Sequence, residues 1–157
     1  MRRFFAIAIL LPSLTMAATP SWDELLAGVS SGQDKWLSMV PQLAPTTDPQ
    51  KGGELVDAMA FSLAESALNT LNTLSTIDEQ QKTNPALNRF TSSVVCAIPV
   101  VVEYDKATVI SYAEKALKAL SLTGSKGAEC KQIMVESLAE IQTDERAGNM
   151  EWGTKDR

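Results

Sequence analysis

The chain has 157 residues, 14 Lys and Arg against 19 Asp and Glu, a net charge of −5 and no histidine. An acidic chain suits neither nucleic acid nor anionic lipid, which favour clustered Lys and Arg, and suits a basic partner better. The missing histidine excludes Ser-His and Cys-His nucleophile systems and any His-ligated metal.

Met1-Arg2-Arg3 carries positive charge, Phe4 to Leu11 is an apolar run stopped by Pro12, and Thr15-Met16-Ala17-Ala18 supplies small residues. This is the pattern of a secretory signal peptide over residues 1–18, cleaved after about Ala17 or Ala18. The run is too short to anchor the chain, and no later stretch reaches the roughly 20 apolar residues a membrane span needs. Removing 18 of 157 residues leaves 139, enough for one helical domain over residues 19–142, and takes the net charge from −5 to −7. The expected location is periplasmic, with no membrane insertion after cleavage.

Ser21 and Glu24 form a capping box ahead of a stripe of Trp22, Leu25, Leu26 and Val29. A second short helix is predicted over Gln33–Val40, limited by Pro41. "QLAPTTDPQKGG" reads as a loop, with Gly52-Gly53 as its hinge. Asp48-Pro49 is a start signal for the strongest helix, in which Leu55, Met59, Leu63, Ala67 and Leu71 recur every four residues. Val56, Ala60, Ala64 and Leu68 widen that stripe, which predicts close helix packing. "STIDEQQKTNP" breaks the pattern. Asn84-Pro85 then repeats the cap-plus-proline device before Leu87, Phe90 and Val94.

The stretch "TSSVVCAIPVVVEYDKATVISYAEKAL" is less regular. A residue before proline avoids the α region, so one helix is expected to end near Cys96–Ile98, with Val100–Val102 filling the core. The next helix starts near Asp105, with Val109, Ala113, Ala116, Leu117 and Leu120 inward and Glu114, Lys115 and Lys118 outward. The alternative is a short hairpin within Val100–Tyr112, turning at Tyr104–Ala107. That turn lacks Asn-Gly, and a lone hairpin is only marginally stable. The last helix, about Lys126–Gln142, aligns Cys130, Ile133, Met134, Leu138 and Ile141. From Thr143 the chain is polar, and residues 143–157 are expected to form a frayed, flexible tail.

Cys96 and Cys130 are the only cysteines. In an oxidising compartment such a pair is expected to be bonded, which would stabilise the fold by roughly 3–4 kcal/mol in the chain-entropy account. The fold class is therefore all-α, a compact bundle of five or six helices stapled by one disulfide.

For chemistry, no P-loop, G-x-G-x-x-G or G-x-S-x-G string is present. Three carboxylate pairs remain: Asp57 with Glu65, Glu136 with Glu140, and Glu103 with Asp105. Their spacing alone defines no cleft. Trp22 and Trp36 lie on core stripes. Trp152, in the polar tail, either docks back on the bundle or stands free to anchor a partner. Glu103, Tyr104, Asp105 and Trp152 are the candidate partner-binding residues; no cofactor or metal is expected.

At "VVCAIPVVVEYDKATVISYAEKALKAL", followed by "AECKQIMVESLAEI", the chain resembles small exported all-helical bacterial proteins. Among these are periplasmic immunity proteins that block cell-wall-degrading toxins delivered by type VI secretion. Their "CIP" element resembles Cys96-Ala97-Ile98-Pro99 with one residue inserted. The resemblance implies a non-enzymatic protein, monomer or homodimer, that occludes the active site of a basic toxin or effector. A second likeness is to periplasmic acid-stress chaperones, small helical proteins with one disulfide. A carboxylate-dependent hydrolase is the third reading.

Overall fold

A computed structural model describes residues 20–157; the expected signal segment, 1–18, lies outside them. Ser21 opens α1 (Trp22–Ser30) with both halves of its capping box. Its hydroxyl accepts from the Glu24 amide, and the Glu24 carboxylate accepts from the Ser21 amide. The single helix expected over Gln33–Val40 is instead two one-turn helices, α2 (Asp34–Leu37) and α3 (Val40–Leu43). Pro41 does not stop the chain. It lies in the first turn of α3, where a missing amide hydrogen costs nothing.

Asp48 caps α4 (Pro49–Gln80), accepting from the Lys51 amide at 2.9 Å. Gly52 and Gly53 lie inside this helix and are not a hinge. Gly52 leaves room for the Arg89 side chain, since an added Cβ would fall 2.4 Å from the guanidinium carbon and displace it. That guanidinium donates to the Thr47 and Asp48 carbonyls and to the Thr47 hydroxyl, closing the loop that precedes the helix.

The stripe Leu55, Met59, Leu63, Ala67 and Leu71 is buried as expected and continues through Leu74 and Ile77. The first half of the polar segment, residues 75–80, is therefore still helical, and the expected break comes later, at residues 81–84. Ile77 is fully buried, and Asp78 accepts from both the amide and the hydroxyl of Ser92. Midway, Ser66 leaves helical geometry (φ −151°, ψ 73°). The buried Ser62 and Thr70 hydroxyls, 2.8 Å apart, span this kink and donate to the Met59 and Ser66 carbonyls. Beyond the kink the helix face is turned, and Leu68 is 52% exposed instead of widening the core stripe.

Asn84 caps a 3₁₀ turn, Pro85–Phe90, that buries Leu87 and Phe90. Next, α5 (Ser92–Val95) ends at Cys96. Ile98 follows in a left-handed conformation (φ 55°, ψ 55°), which costs a residue with a Cβ about 1–2 kcal/mol. Its complete burial offsets that cost. A 3₁₀ turn, Pro99–Val102, comes next. Of its valines, Val100 is buried and Val102 is 76% exposed, so the three do not fill the core together. A tight turn cannot point three successive side chains one way.

In α6 (Lys106–Ser121), Val109, Ala113, Ala116 and Leu120 are buried together with Tyr112, while Glu114, Lys115 and Lys118 are exposed. In α7 (Ala128–Ala147), Cys130 is bonded to Cys96, with Cα atoms 5.3 Å apart. Helix α4 packs mainly on α6 and α1, and α7 packs on α6. The fold is an all-α bundle stapled by one disulfide. Among the described residues there is no strand, and the hairpin alternative is replaced by the 3₁₀ turn and α6. No helix among them is long and apolar enough to cross a membrane, and the disulfide fits an oxidising compartment.

The C-terminal region differs from the expected frayed tail. Helix α7 runs past Gln142 to Ala147, and Gly148 (φ 71°) turns the chain. Residues 149–157 then return to the corner where the 3₁₀ turn meets α6.

Candidate functional site

That corner gathers all four residues singled out for partner binding. Asp105 is the N-cap of α6 and accepts from the Thr108 amide at 2.7 Å, so its carboxylate is committed to the helix. The Tyr104 ring meets Phe61 of α4 edge-on, centroids 5.0 Å apart, and Phe61 meets Tyr112 of α6 likewise at 5.3 Å. Glu103 pairs with Lys155 of the tail. The Trp152 indole donates to Glu145 at 2.9 Å and docks, partly buried, against the core. Lys106 bonds the same carboxylate oxygen, and these two donors hold Glu145 below its ordinary pKa.

The tail is held along its backbone as well. The amides of Thr154 and Lys155 donate to the Glu103 carbonyl at 3.1 and 3.0 Å, and the Asp105 amide donates to the Lys155 carbonyl at 2.8 Å. Tyr104 and Lys155 thus form an isolated parallel bridge. Gly153 makes the close approach possible, since a Cβ there would lie 2.0 Å from the Glu103 carbonyl carbon. Arg157 completes the contact, its guanidinium 4.2 Å from the Phe61 ring centre.

Beneath the tail is a cavity of about 200 Å³ lined by Glu54, Asp57, Phe61, Tyr104, Lys155 and Arg157, among others. Asp57 is the unusual group in it. Partial burial, reinforced by the nearby Glu103 and Glu54 carboxylates and opposed by Lys155, pushes its pKa up to about 6. Tyr104 is also raised, first by burial and then by Asp57. Lys155 is raised by its hydrogen bond to Glu103. Across Phe61 and Arg157, a second cavity of about 260 Å³ is lined by Glu65, Thr108, Tyr112 and Lys115. The Tyr112 hydroxyl is buried with no hydrogen-bond partner among the described residues, and burial raises its pKa far above that of a free tyrosine.

Compared with family models, curated proteins and solved structures, the chain has no match. The site is therefore read from its own chemistry. Of the three carboxylate pairs, Asp57 and Glu65 open on different cavities with Phe61 lining both, and Glu103 and Asp105 are spent on Lys155 and on a helix cap. Glu136 accepts from Gln132 on the exposed face of α7, and Glu140, one turn on, is exposed.

The sequence reading did not single out Asp57 as a perturbed group, and it did not join the tail to Glu103. One signal for the second was present. Gly153, Lys155 and Arg157 alternate with Trp152, Thr154 and Asp156, a period of two that suits an extended segment with both cations on one side.

Proposed function

We propose that this chain is a periplasmic immunity protein, a non-enzymatic monomer or homodimer that binds a secreted antibacterial effector and occludes its active site. One observation carries the reading. The acidic edge formed by Glu54, Asp57 and Glu103 holds an extended basic segment, with Lys155 on Glu103 and Arg157 over Phe61. An edge that takes Lys and Arg in this way has the right chemistry for a basic protein surface. The net charge of −5, the disulfide in a small helical scaffold and the export-type N-terminus support it. The test is to express the full chain, with and without residues 1–18, beside the effectors encoded at neighbouring loci. Protection only with residues 1–18 present, and a complex weakened by Glu103→Lys, is the expected result. Absence of both protection and a co-purifying complex would sink the reading. The acid-stress chaperone alternative needs the bundle to loosen in acid. Asp57 works against that, because protonation removes its repulsion with Glu103 and Glu54.

A further inference from the structure

We infer that residues 149–157 are a built-in occupant of the partner site, and that the partner's own contact is an extended segment with two cationic side chains spaced i, i+2. The inference rests on the protein-binding reading above and gives the partner's local conformation and the step that admits it.

Three features of the corner carry this. First, the backbone edge at Glu103–Asp105 offers one carbonyl and one amide outward, and the tail uses both in parallel register. Such an edge recognises any extended chain through main-chain bonds, whatever its side chains. Second, side-chain selection falls to the acidic and aromatic lining. Glu103 takes the cation at one position, and Phe61 takes the cation two residues on. Asp57 and Glu54 add negative charge in the cavity between. A neutral or acidic strand would leave these groups facing one another. Third, the tail is held by groups that can be exchanged one for one. Its ion pair is exposed, with the Lys155 and Glu103 side chains 59% and 45% accessible, and exposed pairs contribute little net stability. Gly148, left-handed at the end of α7, is the natural pivot.

A partner segment of the same chemistry therefore replaces the tail contact for contact. Trp152 leaves Glu145 as it does so, which exposes a large aromatic side chain beside the vacated groove, where a partner can cover it.

The experiment uses the full chain and a fluorescent peptide with the sequence of residues 149–157 as probe. In Gly153→Val the chain's own tail cannot close, because a Cβ would overlap the Glu103 carbonyl carbon. That variant should bind the probe about fivefold more tightly than the parent chain, the gain set by a tail closure of about 1 kcal/mol. Glu103→Lys added to Gly153→Val should abolish the gain, as should a probe with Glu in place of its Lys and Arg. Hydrogen exchange at the Asp105 amide reports whether the tail is open. If Gly153→Val leaves that amide protected, Lys155→Glu with Arg157→Glu is the opened form to which the same criterion applies. An opened chain that binds the probe no better than the parent overturns the inference. So does a parent chain that dimerises with concentration and loses its dimer in Gly153→Val, which would assign the groove to a second copy. Neither outcome depends on an effector, so this inference and the immunity reading fail separately.

Discussion

Two corners of the bundle are closed by residues far apart in sequence, and they are closed by different means. At one, Cys96–Cys130 joins the end of α5 to the first turn of α7, and Asp78 adds two hydrogen bonds to Ser92 close by. At the other, the segment following α7 is held to Glu103–Asp105 by three backbone hydrogen bonds, one exposed ion pair and a glycine fit. The first corner opens only by breaking a covalent bond. The second opens by exchanging contacts that water or another chain supplies equally well. One helix, α7, therefore has a covalently fixed start and an extension held only by weak, exchangeable contacts.

The sharpest way to break this contrast is to remove the disulfide. Cys96→Ala with Cys130→Ala should lower stability by about 3–4 kcal/mol, read from the urea midpoint, while the Asp105 amide stays protected at moderate temperature. A smaller loss than that of Gly153→Val would reverse the assignment of the two corners.

The next largest effect concerns Asp57, in the cavity beneath residues 149–157. Folded, it holds its proton up to about pH 6, against an ordinary 3.8. Between those values the folded state binds more protons than the unfolded one, so this group's contribution makes stability fall as pH rises through that window, and the loss persists above it. Asp57→Asn should therefore be more stable than the parent at pH 7 by about 1–2 kcal/mol, a figure reduced for the solvent that reaches the half-open carboxylate. The advantage should shrink toward pH 4. Equal midpoints for parent and variant at pH 7 would mean that the cavity is well solvated.

Gly153→Val should cost only about 1 kcal/mol, because three hydrogen bonds of about 1 kcal/mol each are largely offset by the entropy of ordering the tail. The local result should be larger than the global one, with fast exchange at Asp105 and a red-shifted Trp152 emission. The smallest expected effect is at Tyr112. Its buried hydroxyl has no partner among the described residues, so Tyr112→Phe should leave stability unchanged or raise it by up to about 1 kcal/mol in a thermal melt. A clear loss would show that the hydroxyl bonds a group when residues 149–157 move.

How much of this was legible in the sequence depends on the range of the interaction. The caps at Ser21, Asp48 and Asn84 act within three residues, and the stripes on α4, α6 and α7 repeat within a turn, so a linear reading finds them. The break expected in the polar run after Leu74 comes only after Gln80, because Asp78 looks like a loop residue until Ser92 is brought beside it. Gly52 reads as a hinge in sequence because its neighbour in the fold, the Arg89 guanidinium, arrives from another element. In the candidate site, Glu103, Tyr104, Asp105 and Trp152 stood out by residue type. Their meeting did not, and Asp105 serves its own helix.

The amino-acid sequence by itself determined the all-α class, the pairing of its two cysteines and the helix faces that enter the core. Each follows from composition or from a period of a few residues, which survives in any compact arrangement. Only the tertiary structure decided that α4 kinks at Ser66, that Asp57 is held among other carboxylates, and that residues 149–157 lie on Glu103–Asp105. Those features depend on desolvation and on contacts between distant segments. No local pattern encodes them, because the free energy that sets them exists only once the elements have packed.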